Sequence, residues 1–358
     1  MRTILIEGLL MQRPMSIVDQ LDRPLRDLRL SVIDQCNFRC TYCMPREIFG
    51  ADYPFMPSSD RLSFAHLTRI ASAFASLGVE KIRLTGGEPL LRRGLETLIE
   101  QLAALTTISG NPMEIALTTN GSLLAAKARS LRNAGLGRVT VSLDAVDDAV
   151  FRRMSDVDVP VSRILEGIEA ACAAGLAPVK VNAVIERGAN DSQILPLVRR
   201  FRHTGATVRF IEYMDVGGAI DWSSEKVLSA QQTREIIESE FPLVPTADPR
   251  QVGTAVNYRH ADGAGEIGFI ASVSLPFCGS CSRARVSADG KLYTCLFSTH
   301  GTDLRPWLDD AAPVEQLADM VRSRWVSRND RYSELRQARR ERGSARAYPT
   351  VLMSLVGG

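Results

Sequence analysis

The sequence predicts an α/β fold: a partial, TIM-like (βα)6 barrel with a C-terminal Cys-containing extension covering its open side. Three observations carry this. Strand-like and helix-like segments alternate between residues 26 and 212 at the spacing of βα units. The units number about six, fewer than the eight that close a TIM barrel. After about Phe241, Gly, Pro and short β-like runs take over through Leu296.

Residues 26–33 alternate apolar positions and run as a strand into Cys36. A helix follows at 63–77, where Phe64, Leu67, Ile70, Ala71, Phe74 and Leu77 recur at helical spacing and Gly78 stops it. Residues 79–84 form the next strand, ending in Gly86-Gly87. Further strands are predicted at 114–118, 138–143, 179–185 and 207–212, with helices near 95–105, 123–133, 161–174 and 192–203. Four spans result: a flexible leader at 1–22, the barrel at 23–243, the extension at 244–341 and a tail at 342–358. Nine arginines against three acids between 322 and 346 read chiefly as a solvated helical face.

Composition excludes several classes. The chain has 358 residues, 45% hydrophobic and 23% charged, which argues against disorder and fibrous repeats. A net charge of +2 is too small to argue for nucleic-acid binding. No apolar run reaches membrane-spanning length. The first twenty residues lack the order of a secretory signal, so a cytoplasmic protein is expected.

The seven cysteines are uneven. Cys36, Cys40 and Cys43 form one cluster, Cys278, Cys281 and Cys295 another, and Cys172 stands alone. Tight triplets without an export signal favour metal over a disulfide framework. Three thiolates can hold three corners of a [4Fe–4S] cluster and leave one iron open. A zinc loop is the rival at the first triplet, and a zinc site completed by His300 the rival at the second. Cys172 falls on an apolar helical stripe and is expected to be a buried structural thiol.

Other motifs sit where a barrel places catalysis, beyond strand C-terminal ends. Thr85-Gly86-Gly87-Glu88-Pro89 can approach a ligand closely, and Glu88 can accept from an ammonium group. Thr118, Asn120 and Ser142 end the third and fourth strands; N-capping is their plainer role. Arg283 and Arg285, two residues apart, share one face of a strand and suit bidentate phosphate binding.

Cys36-x-x-x-Cys40-x-x-Cys43 resembles the radical S-adenosylmethionine superfamily. With KIRLTGGEPLLR, LTTNG, RVTVSLDA, CSRARVSADGKLYTCLF and the Gly357-Gly358 end, residues 23–358 resemble the GTP 3′,8-cyclases of molybdenum cofactor biosynthesis. The resemblance implies two [4Fe–4S] clusters, on Cys36, Cys40 and Cys43 and on Cys278, Cys281 and Cys295. It implies S-adenosylmethionine as the radical source, with Tyr42, Gly86, Gly87, Glu88, Thr118, Asn120, Ser142 and Met214 around it. It places Arg29, Lys81, Arg83, Lys180, Arg209, Arg283 and Arg285 in a basic pocket for GTP. It sends the tail into that pocket, making Gly357, Gly358, Arg283 and Arg285 the catalytic set. Implied partners are an electron donor such as flavodoxin or ferredoxin, a downstream cyclic pyranopterin monophosphate synthase and a second copy in a homodimer. A radical S-adenosylmethionine peptide-modifying enzyme and a non-catalytic zinc-stabilised binding protein are the alternatives. Ile33 and Gln35 depart from the Thr and Arg that the family carries beside the first triplet.

Overall fold

The computed structural model describes residues 16–216, 222–246, 253–309, 311–341 and 352–357. Period-two alternation builds its sheet. In β1 (Asp27–Ser31), Leu28 and Leu30 are buried among apolar side chains, while Asp27 and Arg29 point to the opposite face. In β2 (Lys81–Thr85), Ile82 and Leu84 repeat this against Lys81 and Arg83. Four more parallel strands follow: β3 (Glu114–Thr119), β4 (Arg138–Ser142), β5 (Lys180–Ile185) and β6 (Thr207–Glu212).

The later strands are β7 (Leu243–Pro245), β8 (Val256–His260), β9 (Glu266–Ile270), β10 (Arg283–Val286), β11 (Lys291–Tyr293) and β12 (Thr302–Asp303). Among the described residues, all twelve lie in one sheet, ordered β12-β11-β10-β1-β2-β3-β4-β5-β6-β9-β8-β7. β9 joins β6 and β10 joins β1, both in parallel. The parallel core thus grows beyond the six predicted strands, at both edges. The expectation that the extension simply covers the open side is corrected in form. Its strands lengthen the sheet, and residues 271–282 connect β9, beside β6, to β10, beside β1, carrying Cys278 and Cys281.

Helices cover the apolar face: α1 (Phe64–Ser76), α2 (Leu95–Ala103), α3 (Leu124–Asn133), α4 (Asp148–Ser155), α5 (Val161–Ala173), α6 (Ile194–Phe201) and α7 (Ala230–Glu238). Ser63 caps α1 by accepting from the His66 amide at 3.1 Å. α4 was not predicted. Its sequence, DAVFRRMS, buries only Phe151 and Met154 among its large apolar side chains, so its periodicity is weak. α8 (Val314–Val326) packs on α1, and α9 (Tyr332–Glu341) and α10 (Met353–Val356) follow. No helix among the described residues is long and apolar enough to cross a membrane.

Three expectations need correction. Residues 16–22 are folded, not a flexible leader: Val18 pairs with Pro24, and Asp19 is buried. Residues 1–15 lie outside the described residues. Cys172 is exposed, because the buried stripe of α5 runs through Val161, Ile164, Ile168 and Ala171 and leaves it one position off. The basic stretch after residue 322 is not solvated throughout, since Arg328 and Arg336 are buried.

Ile82 is fully buried within the apolar core. Ile82→Ala should therefore lower stability by about 2–5 kcal/mol. A reduced urea midpoint with an unchanged slope would show it.

Candidate active site

Strand register assembles a block of positive charge. Arg29 on β1 pairs with Arg285 on β10 and with Arg83 on β2, so three guanidinium groups stand side by side across three strands. Two residues earlier, Asp27 aligns with Arg283 and Lys81. Their apolar neighbours face the helices, so pleating sends every one of these charges to the inner face. Lys180 and Arg209 arrive from β5 and β6.

All of these line a cavity of about 560 Å³. Ten cationic side chains line it against the carboxylates Asp27, Glu212 and Asp330. Asp27 is ion-paired with Lys81. Arg138 pairs with Glu114, and Arg23 and Arg328 with Asp19, while Arg29 and Lys180 stand among like charges. Burial and the nearby Arg285, Arg283 and Arg83 push the Arg29 guanidinium well below its usual range. Burial and then Arg209, Arg138, Arg83 and Lys81 bring the Lys180 ammonium down to about 7. Such a block is relieved by a multiply charged anion.

Tyr42, Thr118, Ser142 and Met214 also line the cavity, as do Cys278, Cys281 and Cys295. Thr118 and Thr140 accept from Arg83 Nη1 at 3.0 and 3.1 Å, so Thr118 orients a cavity arginine. Tyr42 belongs to the first Cys loop. Its hydroxyl donates to Asp144 Oδ2 at 2.8 Å, and Asp144 Oδ1 accepts from the Val184 amide at 2.8 Å. Burial pushes the Asp144 carboxyl up to about 6.

The first Cys loop is held from outside the cavity. The Arg39 and Thr41 amides donate to the Ser155 and Met154 carbonyls, both at 3.0 Å. These are end carbonyls of α4, which have no partner within the helix. Within the loop, the Cys43 and Met44 amides both donate to the Cys40 carbonyl at 2.9 Å. Cys36 Sγ accepts from the Phe38 amide at 3.4 Å and from Asn120 Nδ2 at 3.8 Å.

Gly86, Gly87 and Glu88 do not line the cavity. The glycines let backbone approach backbone: the Gly87 and Glu88 amides donate to the Ile33 and Gln35 carbonyls, both at 2.8 Å. A Cβ on Gly87 would stand 2.2 Å from the Gln35 carbonyl oxygen. Glu88 is buried and accepts from Thr119 Oγ1, the Asn120 amide and the Leu90 amide at 2.8, 2.7 and 2.9 Å. It ties together two loops around Cys36, rather than standing with free oxygens. Burial pushes its carboxyl up to about 7.

In the second triplet, Arg283 Nη2 donates to Cys281 Sγ at 3.4 Å. Burial raises the Cys281 thiol, but Arg283 and Arg328 outweigh it and bring it down to about 6. The tail reaches the same place. Arg285 donates to the Gly357 carbonyl, and Met353 lines the cavity. Gly357 has φ 73° and lies against Thr85, where a Cβ would meet Cγ2 at 2.0 Å. Gly358 lies outside the described residues.

Comparison with known proteins accounts for both halves of this site. The Radical SAM superfamily model matches residues 30–201, and the Molybdenum Cofactor Synthesis C model matches 206–334. A GTP 3′,8-cyclase of Xanthomonas axonopodis pv. citri (strain 306) is 52% identical over 341 residues, covering 95% of this chain and 98% of the relative. The chain belongs to the GTP 3′,8-cyclase family. A family member from Staphylococcus saprophyticus is 45% identical over 96% of this chain and 99% of its own. The fold is also that of Streptococcus suis SuiB, solved bound to S-adenosylmethionine, with TM-score 0.57 and 16% identity over 84% of this chain and 68% of that one.

The residues present fit the family's cofactors. Each triplet supplies thiols, the donor set of iron–sulfur clusters. Burial pushes the Cys36 and Cys43 thiols up to about 11 and about 12, and metal coordination removes such protons outright. No group of three or more His, Cys, Asp or Glu side chains among the described residues is arranged to hold a single metal ion.

Sequence reasoning missed Arg138 and Asp144. Arg138 lines the cavity and pairs with Glu114. The period-two pattern Arg138, Thr140, Ser142 was signal enough to find it. Asp144 acts through contacts from distant segments, which leave no local signal.

Gly87→Ala should displace the Gln35 carbonyl and the Cys36 loop behind it. Reductive cleavage of S-adenosylmethionine should fall at least about tenfold, with about four irons still bound at the second triplet. Iron analysis alongside 5′-deoxyadenosine formation checks this.

Proposed function

We propose that this protein joins the ribose C3′ and guanine C8 of GTP, forming 3′,8-cyclo-7,8-dihydro-GTP for molybdenum cofactor biosynthesis. One observation carries the proposal. A single cavity is lined by Tyr42 of the first Cys loop, by all three cysteines of the second triplet, and by the cationic block. The triphosphate of GTP brings about four negative charges, which that excess of cations suits.

Cys36, Cys40 and Cys43 would hold one cluster, and Cys278, Cys281 and Cys295 the other, with the guanine placed at the second. When bound, S-adenosylmethionine and the first cluster supply the radical that removes the ribose hydrogen. The chain's own part is placement and shielding. Arg29, Lys81, Arg83, Lys180 and Arg209 orient the phosphates from β1, β2, β5 and β6. Arg283 stands beside Cys281, and Arg285 holds the tail at the cavity. Tyr42, Ser142 and Met214 offer contacts to S-adenosylmethionine, while Gly86, Gly87, Glu88 and Asn120 hold the loop behind Cys36. Residues 352–357, where Ser354 and Val356 are buried, narrow the access of water.

An electron donor such as flavodoxin or ferredoxin, transfer of the product to cyclic pyranopterin monophosphate synthase and a homodimer belong to the same reading. So does a cytoplasmic location, where reducing conditions keep thiols available as cluster ligands.

Anaerobic incubation with GTP, S-adenosylmethionine and dithionite should give the cyclised nucleotide by mass; GTP recovered unchanged beside 5′-deoxyadenosine would overturn the assignment. Cys36→Ala should abolish 5′-deoxyadenosine formation. GTP affinity should fall as pH rises above about 7, because the triphosphate draws a proton onto Lys180 that its surroundings repel. Calorimetry at pH 8 in buffers of different ionisation heat should detect this proton uptake, and Lys180→Gln should remove it.

A further inference from the structure

All three segments of the second Cys triplet meet one ionic network centred on buried side chains, and it begins in the turn at residues 19–23. We propose that Asp19, Arg23 and Arg328 are positioning residues for the iron–sulfur cluster of Cys278, Cys281 and Cys295. This rests on the reading above that these thiolates hold a cluster.

The geometry is direct. Arg23 Nη1 donates to the Cys278 carbonyl and to the Asp330 carbonyl, both at 2.8 Å. Arg328 Nη1 donates to the Cys281 carbonyl at 2.8 Å. Thr294, adjoining Cys295, donates its hydroxyl to Asp330 Oδ2 at 2.6 Å. Asp19 joins the two arginines: its Oδ2 accepts from Arg23 Nε at 2.7 Å and from Arg328 Nη1 at 3.1 Å. Its Oδ1 accepts from the Leu21 and Arg23 amides at 2.9 and 3.0 Å, closing the turn that presents Arg23.

Packing alone does not explain this arrangement. The three side chains are at most 1% exposed. Buried ion pairs are commonly no more stabilising than apolar residues of similar volume. Here both guanidinium groups are directed at carbonyls of the ligand segments. Arg23 Nη2 is also buried with no hydrogen-bond partner among the described residues, a donor left over beside the triplet. Outer partners of this kind fix ligand orientation, and their loss weakens metal retention about 10–100-fold. The triplet needs such a frame. Cys278 and Cys281 lie on the segment connecting β9 to β10, whereas Cys295 follows β11.

The test follows iron release to a chelator after anaerobic reconstitution of the full chain. Wild type should hold about eight irons; if it holds none, the functional reading fails before the network is tested. Arg328→Met should release about four of its irons at least about tenfold faster than wild type. The other irons should behave as in Cys278→Ala, and cleavage of S-adenosylmethionine without GTP should persist. Arg328→Lys, which keeps the charge, should recover part of the retention. If Arg328→Met loses both clusters together, Asp19→Asn decides. Selective loss from the second triplet supports the proposal; joint loss overturns it, since the network would then support the whole fold. Wild-type release rates in both Arg328→Met and Asp19→Asn also overturn it.

Discussion

The alignment of arginines across neighbouring parallel strands is the constraint on which the rest depends. Arg285, Arg29 and Arg83 occupy one register on β10, β1 and β2. Their strands are held there by leucine, isoleucine and alanine side chains buried on the opposite face. A slip of one residue would exchange the two faces, burying the charges against the helices. The apolar core therefore determines where the charge goes. It holds like charges together at a cost that an anionic ligand relieves.

The two Cys triplets are held by different physics. The first uses backbone. End carbonyls of α4 take amides from the Cys40 segment, and the Gly86-Gly87 turn presses on the residues ahead of Cys36. The second uses buried charge, from Asp19, Arg23 and Arg328. The contrast follows from the topology. The first loop lies beside a helix end with carbonyls to offer, whereas the second lies on the connection from β9 to β10, where the long side chains of Arg23 and Arg328 reach it.

Much of this was legible beforehand. The six barrel strands were read from alternation, and the structure contains each of them. The seven basic residues taken from the family resemblance all line one cavity. Glu88 shows what motif reading leaves out: its carboxylate also serves three donors from its own and neighbouring loops. Cys172 shows another, because a single helical position, about 100° of rotation, separates burial from exposure. α4 was missed because its large buried apolar side chains number only two.

What the sequence determined by itself was local chemistry and periodicity: thiols at cluster spacing, cations at every second strand residue, and apolar faces for a sheet and its helices. Those are properties of neighbours in the chain. Tertiary structure alone decided the pairing of β10 with β1, the course of residues 271–282 from β9 to β10, and the meeting of Asp19 with Arg328. Such contacts join segments up to about three hundred residues apart, and they are selected by how the whole sheet packs, so no window of sequence contains them.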